Sequence, residues 1–247
     1  MDRMIYVAMS GAKHTMDQQA IVSHNLANIS TNGYRAASSA FRAVQAPGDG
    51  LQTRAFAELA TTGANFAPGP LQATGRDLDV ALPGPGWIAV QLANGGEAYT
   101  RNGALQISQN GMLQTRNGLN VLGEGGPISV PPESMIHIAK EGTVSVVSTT
   151  PPHTSVNVIG RIKLVNPDEK QLQRGDDGLF RLTNGASAPA DPSVTLASRT
   201  LEGSNVNVVE EMISMISLAR QFDVQMQLLN NAQKDAAQAS QILTIRS

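Results

Sequence analysis

Apolar and small residues recur every three or four positions near both ends of the chain, which is the spacing of a helix with one buried face. The N-terminal stripe runs from position 5 to 29, interrupted by Thr15 and Gln19, and predicts a helix over about 4–28. Its end is signalled by Asn28, Ser30, Thr31 and the Asn32-Gly33 pair, because asparagine and glycine accept the left-handed backbone that terminates a helix or makes a turn. The apolar members of this N-terminal seam are Ile5, Ala8, Ala12, Val22, Leu26 and Ile29.

The C-terminal stripe alternates steps of four and three from position 208 to 243 and predicts a second, longer helix. Asn207 can cap its start, and Glu210 and Glu211 suit the positive end of the helix dipole. Gln233 and Ser240 are polar interruptions of the stripe. The apolar members of this C-terminal seam are Val208, Met212, Met215, Ala219, Phe222, Met226, Leu229 and Leu243.

Between the two stripes, from about 75 to 200, the pattern changes to short alternating runs such as WIAVQLA and VNVIGRIKLV. Alternation over four to eight residues is typical of strands with one buried face. Asn-Gly pairs begin at 94, 102, 110, 117 and 184, and such pairs favour the tight turns of β-hairpins. Their spacing predicts an antiparallel meander near 99–122.

Together these patterns predict an α+β fold in four segments: an N-terminal helix in 1–35, an extended connector with little regular structure in 36–74, a β-rich, mostly antiparallel domain in 75–200, and a C-terminal helix in 201–247. Because a helix gains most of its stability from packing, the two stripes are expected to pair as a coiled-coil-like domain, with the β domain inserted between them. The polar positions in both seams weaken such a pair, which indicates assembly with neighbouring chains.

Composition removes several function classes. Of the 247 residues only 15% are charged, and a net charge of -2 gives no basic field to hold nucleic acid or an anionic membrane. The absence of cysteine excludes disulfides, thiolate metal sites and cysteine nucleophiles. No basic stretch followed by an apolar run marks a cleavable signal peptide, and no run of about 18 apolar residues could span a bilayer.

Few residues suggest chemistry. The four histidines lack the close spacing of metal ligands. Asp77 and Asp79 would share one face of a strand and could form an acid–base pair, but solvated edge residues beside Arg76 are the simpler interpretation. The RGDDG stretch at 174–178 contains an adhesion tripeptide, although its composition is that of a hairpin turn. We therefore predict that the chain is not an enzyme and has no catalytic, metal or cofactor site.

Three stretches resemble one family, the bacterial flagellar rod, hook and hook-associated axial proteins. NLANISTNGYR resembles its N-terminal signature, LEGSNVNVVEEMISMISLARQF its C-terminal signature, and LDVALPGPGWIAVQLANGGEAYTRNGALQISQNGMLQT the β domain of rod and hook proteins. The asparagines of the first stretch are expected to satisfy backbone groups where the helix ends. The signature residues at the turn and the cap are Asn25, Asn28, Gly33, Tyr34, Ser204, Asn205 and Asn207.

The resemblance implies a structural subunit of the basal-body rod, the shaft that crosses the periplasm and transmits torque. It implies terminal helices that bundle along an axis with other copies and with neighbouring proximal- and distal-rod proteins, and export through the flagellar type III apparatus without a cleavable signal. Proximal-rod members are the most similar, and a distal-rod or other axial subunit is the alternative. From another class, an oligomeric carbohydrate-binding or adhesion module would need its aromatic residues, mainly Trp87, Tyr99 and Phe180, for stacking on sugars.

Overall fold

The computed structural model describes residues 2–45, 55–148 and 156–244. Helix α1 (Asp2–Ala27) and helix α2 (Val208–Thr244) stand at the two ends, with a β-rich, mostly antiparallel middle. The α+β expectation is confirmed. The chain divides into two compact units: unit 1 comprises Met1–Ala27, Ala37–Ala64 and Val206–Ser247, and unit 2 comprises Asn28–Ala36 and Asn65–Asn205.

The strands follow in chain order. They are β1 (Ala37–Gln45), β2 (Ala55–Ala64), β3 (Leu71–Ala73), β4 (Val80–Ala81), β5 (Trp87–Gln91), β6 (Glu97–Thr100), β7 (Leu105–Ile107), β8 (Leu113–Thr115), β9 (Asn120–Gly123), β10 (Gly126–Pro127), β11 (Ser134–Ile138), β12 (Thr143–Ser148), β13 (Val156–Arg161), β14 (Leu164–Val165), β15 (Leu172–Arg174), β16 (Phe180–Leu182), β17 (Ala197–Ser198) and β18 (Thr200–Glu202). A short 3-10 helix, Glu169–Gln171, precedes β15.

Unit 1 consists of the two helices and the hairpin β1–β2. A Cβ added to Gly11 would lie 3.0 Å from Gln225 Nε2, and Asn25 Nδ2 donates to Glu211 Oε1 at 2.9 Å, so the helices run antiparallel side by side. The predicted connector over 36–74 was wrong, because β1 and β2 pair antiparallel from Ala37 opposite Ala64 to Gln45 opposite Ala55. Alanine, serine and threonine dominate both strands, so they lack the apolar–polar contrast that marks a strand in sequence.

Unit 2 is built around β5. This strand pairs with β6 along one side, and along the other it pairs first with β14 and then with β9. The main sheet has the strand order β15-β16-β6-β5-β9-β8-β7, and β11-β12-β13 form a second sheet. Apolar side chains from both sheets enclose one core, whose members are Val80, Leu82, Ile88, Leu105, Leu113, Val121, Ile128, Val130, Ile136, Ile138, Val144, Val146, Ile162, Leu164, Val194 and Leu196.

One hairpin loop recurs in unit 2, at 92–96, 108–112, 115–119, 139–143 and 175–179. In each loop a glycine amide donates to the carbonyl three residues earlier, and the amide of that earlier residue donates to the carbonyl just after the glycine. The glycines have φ between 74° and 89°, which only glycine adopts without strain. This is a type I turn followed by a bulge. The Asn-Gly pairs at 94, 110 and 117 therefore lie in hairpin turns, as predicted.

The Asn102-Gly103 pair was wrongly predicted to form a hairpin. It connects β6 to β7, which are not neighbours in the sheet. Gly103 instead meets the backbone of β4: Val80 N donates to Gly103 O at 3.0 Å, and a Cβ on Gly103 would lie 1.7 Å from Val80 O. The glycine is required here by close backbone approach, which a dipeptide pattern does not distinguish from a turn.

Candidate functional site: a buried junction and the helix surfaces

Asn25 satisfies the backbone where α1 ends and β1 begins. It is 3% exposed; its Oδ1 accepts from Ala37 N at 2.7 Å, and its Nδ2 donates to Ala37 O at 3.0 Å and to Glu211 Oε1. A single amide thus joins the end of α1, the start of β1 and the first turn of α2. The expectation that this asparagine serves backbone groups is confirmed.

The turn after α1 uses two further signature residues. Asn28 O accepts from Thr31 N at 3.1 Å, and Asn28 Oδ1 accepts from Thr31 Oγ1. Gly33 has φ +68°, and its amide donates to Glu202 O at 2.7 Å. A Cβ on Gly33 would lie 2.3 Å from the Arg101 carbonyl carbon, so only glycine fits this position.

Tyr34 is buried and holds Arg174. The Arg174 guanidinium lies 4.5 Å from the centre of the Tyr34 ring, and its Nη1 donates to Arg35 O at 3.1 Å. Three residues further on, Asp177 forms an ion pair with Arg181, and that contact lowers the pKa of Asp177. The arginine of the RGD tripeptide is therefore engaged within the chain, so the tripeptide is part of a hairpin turn.

Glu202 is the centre of a buried ionic cluster. Its Oε1 accepts from Arg35 Nη2 at 2.7 Å and from Gly69 N at 2.9 Å, while Oε2 accepts from Arg101 Nε at 2.8 Å. The side chains of Glu202, Arg35 and Arg101 are 0%, 2% and 3% exposed. A carboxylate withdrawn from water at this depth requires charged partners and several donors, and Glu202 has both.

Arg101 extends this cluster into the main sheet. Its Nη1 donates to Gly84 O at 2.8 Å and Gly86 O at 2.6 Å, and its Nη2 donates to Leu82 O at 3.2 Å. Burial lowers the pKa of Arg101 from its usual value, and the charge of Glu202 opposes that shift. The loop before β5 is therefore held by the same guanidinium that binds Glu202.

Asn205 ties together the segments that lie where the chain passes between the two units. Its Oδ1 accepts from Ala36 N at 2.7 Å, and its Nδ2 donates to Asn65 O at 2.8 Å and Ala67 O at 2.9 Å. Its own amide donates to Tyr34 O. We call residues 33–36, 65–70, 101 and 202–205 the junction.

The last two signature residues lie in the junction and at the start of α2. Ser204 is 8% exposed. Asn207 caps α2 as predicted, because its Oδ1 accepts from Val209 N at 3.1 Å and its carbonyl accepts from Glu211 N at 3.0 Å. Each turn or cap residue named from sequence thus lies at the end of α1, in the junction or at the start of α2.

Arg35, Arg101 and Glu202 were not predicted as a site. The three residues lie far apart in the sequence, and a charged residue is expected at the surface unless its partner is known. The available signal was indirect: these residues stand in the stretches STNGYR, AYTRNG and LEGSN, within two positions of glycines that permit close backbone approach.

The N-terminal seam lies on the buried face of α1. Ala12 and Val22 are buried, and Ala8 and Leu26 are half-buried, as the spacing predicts. Ile29 is half-buried beyond the end of the helix, and the side chain of Ile5 lies outside the described residues.

The C-terminal seam was predicted correctly at only every second position of the helix face. Met215, Phe222 and Leu229 are half-buried as expected, whereas Val208, Met212 and Met226 are 38%, 50% and 40% exposed and Ala219 is also exposed. The other half-buried positions are 211, 218, 225 and 232. Glu211 and Gln225 are polar, yet they belong to this face because one binds Asn25 and the other lies against Gly11. The side chain of Leu243 is outside the described residues.

The error arises because α2 is apolar on a second side. Five large apolar side chains are between 52% and 64% exposed, and at about 100° per residue they project away from the half-buried face. They are Val209, Ile213, Ile216, Val224 and Leu228. We call this set the outer face of α2. A spacing rule that assumes one apolar stripe cannot fix the rotation of such a helix.

The residues considered for catalysis have structural partners. Asp79 is 4% exposed and accepts from Thr74 Oγ1 at 2.7 Å and Arg76 Nη1 at 3.0 Å. The prediction that it is a solvated edge residue was therefore wrong, because it is buried. Asp77 instead binds Arg199 Nε at 2.7 Å. In the part of the chain that the structure describes, no group of three histidine, aspartate or glutamate side chains is placed to hold a metal ion.

The two long helices also bear on membrane insertion. Among the described residues, neither is both long and apolar enough to cross a bilayer.

Comparison with known proteins finds three flagellar family models along the chain. Residues 5–35 match the flagella basal body rod protein model, 81–146 the flagellar hook protein FlgE/F/G D1 domain, and 197–242 the flagellar basal body rod FlgEFG protein C-terminal model. The flagellar basal-body rod protein FlgF of Salmonella typhimurium is 47% identical, over 99% of this chain and 100% of its own length. The chain belongs to the flagellar basal-body rod protein family.

Other members of the family align over nearly the same length. FlgF of Escherichia coli is 45% identical over 99% of the chain and 100% of its own, and FlgG of Buchnera aphidicola subsp. Schizaphis graminum is 30% identical over 96% and 98%. These relatives are structural rod proteins, so the expectation of a non-enzymatic protein is confirmed. Arg35, Arg101 and Glu202 fall in the first, second and third matched regions respectively, so the buried cluster joins all three.

Proposed function

We propose that this structural rod subunit occupies the proximal part of the rod and assembles through α1 and α2, which pack with helices of neighbouring subunits in a coiled-coil-like bundle. The neighbours are other copies of the chain and other rod proteins. The proposal includes a periplasmic position and export through the flagellar type III apparatus. Similarity to FlgF over the full chain supports the proximal assignment.

The outer face of α2 is the observation that carries this proposal. A helix with apolar residues on both sides is stable in water only when both sides are covered. Residues such as Met215 and Phe222 lie on the half-buried face, while Ile213 and Ile216 on the outer face are 61% and 56% exposed. On α1, Tyr6, Met9 and Met16 add further exposed apolar surface, between 52% and 57%. The isolated subunit therefore retains apolar helix surface suited to other helices.

The seam residues first named for assembly divide accordingly. Met215, Phe222 and Leu229 support the fold of unit 1, whereas Val208, Met212 and Met226 remain exposed and available to a neighbour. Polar groups on the half-buried face, such as Gln225, reduce the apolar area that the two helices bury between themselves. Assembly supplies the missing burial.

The adhesion alternative has no support from the aromatic residues. Trp87, Tyr99 and Phe180 are 4%, 0% and 4% exposed, and Trp87 and Phe180 pack against each other with ring centres 4.6 Å apart. Stacking on a sugar requires an exposed ring face. These rings instead contribute to the interior of unit 2.

The test is Ile216→Asp in the full chain, with the charged group on the outer face of α2. We expect thermal unfolding of the purified variant to match the parent, because the position is exposed. We also expect the variant to lose co-assembly with purified rod subunits, as measured by sedimentation and electron microscopy, and to leave complemented cells non-motile. The reason is that an unpaired carboxylate buried in a helix bundle is unfavourable.

The matched control is Ser214→Asp, which adds the same charge at an exposed polar position two residues away. It is expected to retain assembly and motility. Normal assembly of Ile216→Asp would contradict the assignment of the outer face. Loss of assembly in both variants would show that added charge, rather than the lost apolar surface, is responsible.

A further inference from the structure

Three boundary residues of unit 2 are hydrogen-bonded to one another. Ala36 ends the first segment of unit 2, Asn65 begins the second and Asn205 ends it. Asn65 N donates to Ala36 O at 2.8 Å, Ala36 N donates to Asn205 Oδ1 at 2.7 Å, and Asn205 Nδ2 donates to Asn65 O at 2.8 Å. Three of the four points where the chain passes between the units therefore form one closed set of contacts.

We propose that the junction is a mechanical clamp, with Asn205 as the positioning residue that keeps the entering and leaving segments of unit 2 together under load. Only the statement that the protein carries load rests on the proposed function. The clamp itself is a property of the isolated chain.

A second layer of contacts reinforces the same segments. Glu202 binds Arg35 of the first segment and Gly69 of the second through one oxygen, and its carbonyl accepts from Gly33. Gly203 N donates to Pro70 O at 2.8 Å, which continues the β18–β3 pairing. A Cβ on Gly69 would lie 2.2 Å from Gly203 O, so the two backbones are in direct contact.

These contacts act on different segments but share the same few residues. A pull on any one segment is resisted by bonds to the other two, because Asn205 and Glu202 each bind both of their neighbours in the clamp. Hydrogen bonds in such a network are expected to open together rather than one at a time.

Amide exchange of Asn205→Asp in the full chain tests this cooperativity. The substitution keeps the side-chain size and the acceptor for Ala36, but it replaces two N–H donors with an oxygen that faces the carbonyls of Asn65 and Ala67. We expect exchange to accelerate by a common factor, roughly tenfold or more, at all the donor amides of the junction. These amides belong to Gly33, Ala36, Asn65, Gly69, Gly203 and Asn205.

The matched control is Asn94→Asp, in an exposed turn where the side-chain oxygen accepts from Gly96 N. It should leave the junction amides unchanged. Acceleration confined to Ala36 and Asn205, with Gly33 and Gly69 unaffected, would overturn the clamp. If Asn205→Asp does not fold, amide exchange is measured in Asn205→Ser, which also lacks the amide donors. The same amides are compared, and the same outcomes support or overturn the clamp.

Load is tested by single-molecule pulling. Since the chain has no cysteine, Ser30→Cys and Glu210→Cys at exposed positions give unique handles before and after the junction in the sequence. We expect Asn205→Asp to lower the rupture force and Asn94→Asp to leave it unchanged, because forced opening reports the unfolding barrier. Equal rupture forces in all three proteins would overturn the mechanical role. Neither measurement depends on assembly, so either result is separable from the proposed function.

Discussion

Replacing Glu202 with glutamine tests whether the buried ionic cluster holds unit 2 together. Glutamine has nearly the same shape, so Glu202→Gln creates no cavity. It removes the carboxylate that contacts both Arg35 and Arg101, and it turns an N–H group towards one of the guanidinium groups. The change is therefore electrostatic, at a side chain that is fully buried.

The expected loss is large because both arginines are almost as deeply buried as the glutamate. Breaking a buried ion pair by neutralising one partner costs about 3–5 kcal/mol, since the remaining charge is uncompensated. Arg101 cannot withdraw to water without abandoning the carbonyls of Leu82, Gly84 and Gly86. For a domain of this size, such a loss corresponds to a fall in melting temperature of roughly 6–20 °C.

The assay is thermal and urea unfolding of the full chain followed by circular dichroism. The control is Asp176→Asn, which removes a carboxylate from an exposed turn and is expected to change stability by less than about 0.5 kcal/mol. If Glu202→Gln unfolds within 1 kcal/mol, roughly, of the parent, the cluster does not stabilise the fold and the reasoning from buried charge is refuted.

Two further predictions concern Tyr99 and Gly103. Burial raises the pKa of Tyr99 to about 12, so the native state holds the phenolic proton more tightly than the unfolded chain. The protonated tyrosine contributes its full stabilisation below about pH 10, and this contribution is lost as the pH rises towards 12. In urea unfolding at several pH values, Tyr99→Phe should therefore lose about 2–3 kcal/mol less of its free energy of unfolding over this range than the parent. The same pH dependence in both proteins would contradict the assignment. Gly103→Ala places a Cβ 1.7 Å from Val80 O and should destabilise by about 3 kcal/mol or more, whereas Gly84→Ala, with no atom within 4 Å of the added Cβ, serves as the control; equal melting of the two variants would show that the backbone yields at little cost.

Local pattern predicted the helices and most hairpin turns, because their signals lie within a few residues. The predicted helix over 4–28 is α1 within two residues at each end, and Asn207 caps α2 as expected. The rotation of α2 required knowledge of its neighbour, since Glu211 and Gln225 face α1 through specific contacts with Asn25 and Gly11. Pairing of β1 with β2 was equally invisible, because strands rich in small residues are specified by their partner more than by their own alternation.

The buried cluster was the hardest feature to predict, and its chemistry explains why charge is used there. Apolar side chains drawn from three distant segments would be held together without a fixed orientation, since the hydrophobic effect is non-directional. Glu202 instead accepts from Arg35, Arg101 and Gly69 along fixed directions, so each segment has one position relative to the others. We therefore hypothesise that this cluster contributes more to specificity than to net stability, since a buried ion cluster is often no more stabilising than well-packed apolar side chains. Such specificity matters at 202–205, because this segment leads directly into α2, whose outer face carries the proposed assembly.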